Sequence, residues 1–150
     1  MKVVVQRCLN AKCIVDDRVC GSVGQGLMIL VGFTNNDNLD IIKKMAKKIV
    51  NLRIFEDENH KMNKSILDVK GQILSISQFT LYANPYSGNR PSFTDALNFT
   101  DANRLYKEFN EHLRNEYNII VEEGIFGADM KIDFINDGPV TIIIDSENFK

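Results

Sequence analysis

Leu27-Met28-Ile29-Leu30-Val31 constrains this chain more than any other stretch, because all its residues are apolar and none alternates with a polar one. A surface helix shows an apolar stripe and a half-buried strand shows a two-residue period, so a short run with neither is read as a strand covered on both faces. The sequence around it predicts further strands at Val3–Leu9, Cys13–Val15 and Arg18–Val23, with Asp16-Asp17 and Gly24-Gln25-Gly26 as turns and Leu27–Phe33 as the central strand. Leu39, Ile42, Met45, Ala46 and Ile49 then recur at helical spacing after the polar break Asn35–Asn38. Asn51–Phe55 reads as a strand, 56–70 as a mobile polar surface loop, and Gly71–Tyr82 as a second long strand. Thr100 offers a cap for a second helix with the stripe Ala102, Leu105, Phe109 and Leu113, ending near Tyr117-Asn118, and Ile119–Glu122 reads as a strand.

Short strands with two inserted helices predict an α+β domain on a curved, barrel-like, mostly antiparallel sheet. At 150 residues, with no repeat and no linker-like segment, the expectation is a single domain over 1–150.

Composition narrows the classes of function. Residues 1–70 carry 12 Lys and Arg against 8 Asp and Glu, while 71–150 carry 6 against 12, for a net charge of −2. An acidic chain is poorly suited to tight nonspecific nucleic-acid binding, which rests on phosphate neutralisation, although a local basic patch can still hold an RNA end. The Lys43, Lys44, Lys47 and Lys48 face of the first helix is such a patch, with a plain solvated face as the ordinary reading. Cys8, Cys13 and Cys20 have no CxxC spacing and read as reduced thiols of a cytoplasmic protein. No signal-peptide or membrane-spanning run is present, so no membrane partner is expected.

Two stretches stand out for chemistry. Asn136-Asp137-Gly138-Pro139-Val140-Thr141 lies between the apolar runs Met130–Ile135 and Val140–Ile144 and reads locally as a hairpin turn. An X-Pro bond can also be cis for only about 0.5 to 1 kcal/mol, and a preceding glycine leaves main-chain carbonyls unshielded, so the corner could present oxygens to a ligand. The second stretch, Gln72–Leu81, begins as a core strand and then acquires polar groups. As a continuous strand it sends Leu74, Ile76, Gln78 and Thr80 to one face and Ile73, Ser77, Phe79 and Leu81 to the other. Such polar groups either bond neighbouring backbone or face a cavity, since a buried hydroxyl or amide left unsatisfied costs about 1 to 3 kcal/mol.

A Ser or Thr nucleophile needs a base, and the only histidines, His60 and His112, fall in the polar loop and beside the second helix's stripe. Neither has a partner at metal-ligand spacing, so no metal and no cofactor is expected. Hydrolysis here would rest on positioning, on backbone dipoles, or on a group that the substrate brings.

Ser77-Gln78-Phe79-Thr80-Leu81 together with Asn136-Asp137-Gly138-Pro139-Val140-Thr141 resembles the motif pair of the D-aminoacyl-tRNA deacylases. Val5-Gln6-Arg7, Gly88–Phe93 and Gly124–Met130 extend the resemblance over essentially the whole chain. It implies a cytoplasmic, homodimeric editing hydrolase that cleaves the ester of D-aminoacyl-tRNA, with glycyl-tRNA as a second substrate. It also implies a cis bond between Gly138 and Pro139, with carbonyls that enter the other subunit's site and bar L side chains, and Arg7 as support for this gate. Ser77, Gln78, Phe79 and Thr80 are implied as the catalytic pocket wall, with amides near Phe79 and Thr80 holding the ester carbonyl. Phe126 and Met130 are implied at the adenosine pocket.

The implied partners are the acceptor end of D-aminoacyl-tRNA and a second copy of the chain, with no DNA. Thr80 as nucleophile is one mechanism; a water assisted by the tRNA 2′-hydroxyl is the other, favoured by the missing base. A non-catalytic RNA-end or D-amino-acid binder and a general esterase acylated at Ser77 are the competing readings.

Overall fold

The computed structural model describes residues 1–149, organised about the apolar run as the middle strand of one sheet. This strand, β3 (Gly26–Gly32), follows β1 (Lys2–Val15) and β2 (Arg18–Val23), and only Leu30 in it is not fully buried. β3 pairs antiparallel with β1 and parallel with β6 (Gln72–Ser77), which pairs parallel with β7 (Val121–Glu123). β1 also pairs antiparallel with β2 and with β8 (Lys131–Asp145). The two predicted strands at Val3–Leu9 and Cys13–Val15 are thus one long strand.

The expected α+β fold with a curved, barrel-like sheet holds. Its sheet is mixed, however, because the β3–β6 and β6–β7 connections are long enough to carry helices and return parallel. Curling brings β2 against β7 so closely that a Cβ on Gly21 would stand 2.6 Å from the Glu123 carbonyl oxygen.

The first crossover contains α1 (Leu39–Asn51), capped by the Asn38 side chain, which accepts from Ile41 N at 3.0 Å. Because α1 runs to Asn51, the strand predicted at 51–55 shrinks to β4 (Phe55–Glu56), paired with β5 (Met62–Lys64). The segment read as a mobile loop therefore contains a small hairpin, pinned by the Asp57 carboxylate on the amides of Asn59 and Lys61 and by buried Ile66. The second crossover carries α2 (Phe99–Tyr117), whose cap is Asn98 rather than Thr100; its side chain accepts from Asp101 N at 3.0 Å. Ala102, Leu105, Phe109 and Leu113 are buried as the stripe predicts.

These helices seal the larger core over one sheet face. A smaller core of Cys8, Cys13, Met28, Leu74 and Ile76 fills the other, against Met130, Ile132 and Phe134.

The predicted hairpin around Asn136–Thr141 is not a hairpin. β8 passes through it without reversing and pairs with β1 on both sides, Ala11 opposite Phe134 and Cys8 opposite Asn136, then Gln6 opposite Thr141 and Val3 opposite Ile144. Between the Cys8 and Gln6 pairs, β1 supplies only Arg7 while β8 supplies Asp137, Gly138, Pro139 and Val140, so these four residues bulge out of the ladder. The Gly138-Pro139 peptide is cis. No helix among the described residues is long and apolar enough to cross a membrane.

Candidate active site

A cleft of about 580 Å³ opens where β3 and β6 end. Its walls are Val31–Phe33, Ile76–Phe79, Phe93, Ala96-Leu97, the first turn of α2 at Phe99 and Ala102, and Phe126–Met130 with Ile132. The strand predicted through Tyr82 stops at Ser77, level with the end of β3, where no ladder partner remains; the chain then turns into a one-turn 3₁₀ helix, Phe79–Tyr82. Gln78 N still donates to Val31 O at 2.7 Å, which anchors the turn to the sheet. This break overturns the strand parity assigned to Gln78 and Thr80. It also leaves the amides of Phe79 and Thr80 in a first helical turn, where N–H groups have no intrahelical acceptor.

The structure brings Ser77, Gln78, Phe79, Phe126 and Met130 to this one cleft, with Thr80 on the adjoining turn. Gln78 Nε2 lies 2.5 Å from Thr80 Oγ1 and donates to it. Neither histidine lines the cleft: His60 is exposed on the β4–β5 turn beside Glu56, and His112 packs edge-on to Tyr117. Asp129 is the only carboxylate in the lining, and both its oxygens accept from Lys131 Nζ at 3.0 Å. Burial pushes the Cys8 thiol up to about 11 and Cys13 up to about 12, so neither supplies a thiolate near neutral pH. No cluster of three or more His, Cys, Asp or Glu suited to a metal occurs among the described residues.

Aromatic residues that the sequence reading did not single out shape the floor. Phe126 stands edge-on to Phe99 at 4.9 Å between ring centroids, and its other neighbour, Tyr106, lies at 5.7 Å. Gly127, at φ +81°, lets the Phe99 ring approach, since a Cβ there would be 2.6 Å from Phe99 Cε2. Tyr106 is buried, and its hydroxyl donates to Ser75 O at 2.5 Å, tying α2 to the strand that leads into Ser77. Phe79 and Phe93 make a further edge-on pair at 5.1 Å, both more than two-fifths exposed. Phe99 falls on the helical spacing of the α2 stripe, which predicts core, yet it is 61% exposed because it lies beyond the sheet's end.

Gly138 and Pro139 do not line this cleft. They lie opposite Arg7, which pairs with Leu27 near the start of β3, whereas Ser77 pairs with Val31 near its end. Arg7 is buried and fixes the bulge: Nε donates to Asp137 O at 3.2 Å and Nη1 to Ile54 O at 2.7 Å, with the Asp137 carboxylate 3.4 Å from Nε. Asn136 closes the bulge by accepting from Val140 N at 3.2 Å and donating to Thr141 Oγ1 at 3.1 Å. Gly138 and Pro139 are both exposed.

The chain matches the D-Tyr-tRNA(Tyr) deacylase family over residues 4–145. It belongs to that family. Two D-aminoacyl-tRNA deacylases of Clostridium botulinum, from strains Alaska E43 (Type E3) and Eklund 17B (Type B), are 51% and 53% identical over 150 residues, 99% of this chain and 100% of each relative. A solved structure described as a c-Myc DNA Unwinding Element Binding Protein superposes with a TM-score of 0.92 at 39% identity, over 97% of this chain and 98% of that one. A probable eukaryotic D-amino acid tRNA deacylase shares the fold, with a TM-score of 0.82 at 17% identity over 95% and 97% of the two chains. As a deacylase of this family, the chain is a hydrolase of the ester bond of D-aminoacyl-tRNA. That activity removes the non-catalytic binding module from the readings left open by the sequence.

Proposed function

We propose that the cleft receives the terminal adenosine and aminoacyl ester of D-aminoacyl-tRNA, and that the Gly138-Pro139 segment of a second copy closes it against L side chains. The observation that carries this reading is the separation of the two motifs within one chain. From Leu27 to Val31 is about 13 Å at roughly 3.3 Å per residue, and from Ile132 in the cleft wall to Gly138 is about 20 Å along β8. The exposed Gly138-Pro139 segment is therefore too far along the strand to reach its own cleft, which supports the cleft of a second copy as its destination. Selection by such a gate is rejection: it leaves no room for an L side chain and admits D-amino acids and glycine, so glycyl-tRNA is a second substrate. The active enzyme is then a homodimer. Its substrate and its free cysteines suit the cytoplasm.

Within the cleft, the amides of Phe79 and Thr80 hold the ester carbonyl and stabilise the oxyanion as it forms. Phe126, braced by Phe99 and Tyr106, supports the adenine, with Met130 beside it. Thr80 has no histidine to take its proton and its oxygen is occupied by Gln78, which supports attack by water with assistance from the terminal ribose 2′-hydroxyl.

The test compares D-tyrosyl-, L-tyrosyl- and glycyl-tRNA with wild type and Thr80→Ala, and D-tyrosyl-tRNA with its terminal 2′-deoxy form. The D and glycyl esters should be released and the L ester spared, Thr80→Ala should keep most of its activity, and the 2′-deoxy substrate should persist. An inert Thr80→Ala that folds normally would restore the nucleophile mechanism. A chain that sediments as a monomer at micromolar concentration would remove the cross-subunit gate.

A further inference from the structure

We infer that the solvent face of α1 binds the phosphate backbone of the tRNA body, beyond the nucleotides held in the cleft; this rests on the proposed placement of the acceptor end. Lys43, Lys44, Lys47 and Lys48 are all exposed, opposite the buried Ile42, Met45, Ala46 and Ile49. Among the described residues, no carboxylate lies within 4.0 Å of any of the four ammonium groups. Other cations without such a partner, among them Lys2, Arg18, Lys70 and Arg90, lie in separate strands and loops, whereas these four share one face of one helix. Arg53 extends the patch along a shallow groove between α1 and the end of β8. The acidic groups that face it are Asp40 in the first turn of α1, Glu116 from α2 and Asp145 from β8, which leaves the cations in excess. In a chain of net charge −2, this concentration of unpaired lysines is complementary to a polyanion.

Its position suits the body of the same substrate. Lys43, Lys44 and Lys47 border a second groove with His112 and Tyr117 of α2, the helix whose first residue, Phe99, is in the cleft wall. Phe99 and His112 are about 20 Å apart at ~1.5 Å per residue. A stacked strand advances about 3.4 Å per nucleotide, so the unpaired 3′ end of a tRNA spans most of that interval and brings paired phosphates level with the lysines. Lysine ammonium groups act on phosphate as point charges and read no base, so this contact adds affinity common to all tRNAs.

The experiment neutralises the face as K43Q/K44Q/K47Q/K48Q and follows hydrolysis of D-tyrosyl-tRNA and of D-tyrosyl-adenosine, which lacks the tRNA body, between 50 and 200 mM salt. Each lost phosphate contact removes about 0.7 to 0.9 from the slope of log(kcat/KM) against log salt. The variant should lose about 2 to 4 from its slope on the tRNA, with KM raised tenfold or more at 50 mM salt, and should cleave D-tyrosyl-adenosine like the wild type. An unchanged slope and KM overturns the inference, and so does an equal loss on both substrates, which marks damage to the fold. If the wild type leaves D-tyrosyl-adenosine intact, the proposed cleft is wrong, while the slopes on D-tyrosyl-tRNA still decide the role of the lysines.

Discussion

Arg7 and Asp137 are 130 residues apart in sequence, yet the Arg7 Nε donates to the Asp137 carbonyl at 3.2 Å from the one β1 position that faces the bulge. The same guanidinium bonds Ile54 O, so one buried side chain orients the bulge against the segment that follows α1. A lysine keeps the charge but cannot make both bonds from one planar fork. Arg7→Lys should therefore cost about 1 to 3 kcal/mol in denaturant unfolding and narrow the ratio of D- to L-ester cleavage while D-ester cleavage persists. An unaltered ratio would separate Arg7 from selectivity.

Gly138 has φ +125°, a region that side chains avoid, and a Cβ there would sit 2.9 Å from Val140 Cγ2 and 3.1 Å from Arg7 Nη2. Gly138→Ala should lose about 1 to 3 kcal/mol of stability and admit L-tyrosyl-tRNA as the bulge shifts. Thermal melting and a paired D/L deacylation assay measure the two effects separately.

Tyr106 gives a pH signature. Burial pushes its phenol up to about 12, above the value of about 10 in an unfolded chain. Because the folded pKa is the higher one, this stabilisation is complete below pH 10 and is lost as pH rises through 12, by roughly 2 to 3 kcal/mol. Tyr82, also raised by burial, loses its contribution at alkaline pH as well, so the informative quantity is the difference between wild type and Tyr106→Phe. Tyr106→Phe should be less stable at neutral pH by about 1 kcal/mol, since Ser75 O keeps only its bond from Gly124 N, and its alkaline decline should be shallower.

Gly127→Ala tests the aromatic floor. The added methyl would meet Phe99 at 2.6 Å from a backbone at φ +81°, displacing the ring that braces Phe126. Steady-state kinetics should show KM for D-aminoacyl-tRNA rising more than kcat falls, and Phe99→Ala in the same chain should restore part of the loss by removing the clash.

The central strand, both helical stripes and the pairing of the two motifs were legible because each is a matter of local pattern. Leu27–Val31 has no polar face, and Ala102, Leu105, Phe109 and Leu113 keep helical spacing. Where β6 ends was not legible: Phe79 and Leu81 continue an apolar alternation, and only the end of β3 at Gly32 shows that no ladder remains beyond Ser77. Asn136–Thr141 carries turn chemistry whether the chain reverses or merely bulges. The distinction belongs to β1, which is long enough to pair with β8 on both sides. Gln78–Thr80 and the bulge are among the places where local reading misjudged geometry, and both are places proposed to act in the reaction.

β8 is fifteen residues long and has a strand neighbour on only one edge among the described residues. A straight free edge of that length, with Ile135 and Ile143 more than half exposed, would invite successive molecules to add strand upon strand. The four-residue bulge interrupts that edge and leaves a shorter ladder on either side of it, so the segment proposed to sort D from L esters also works against open-ended polymerisation. Shortening the bulge to regularise the ladder would therefore put solubility at risk together with stereoselectivity.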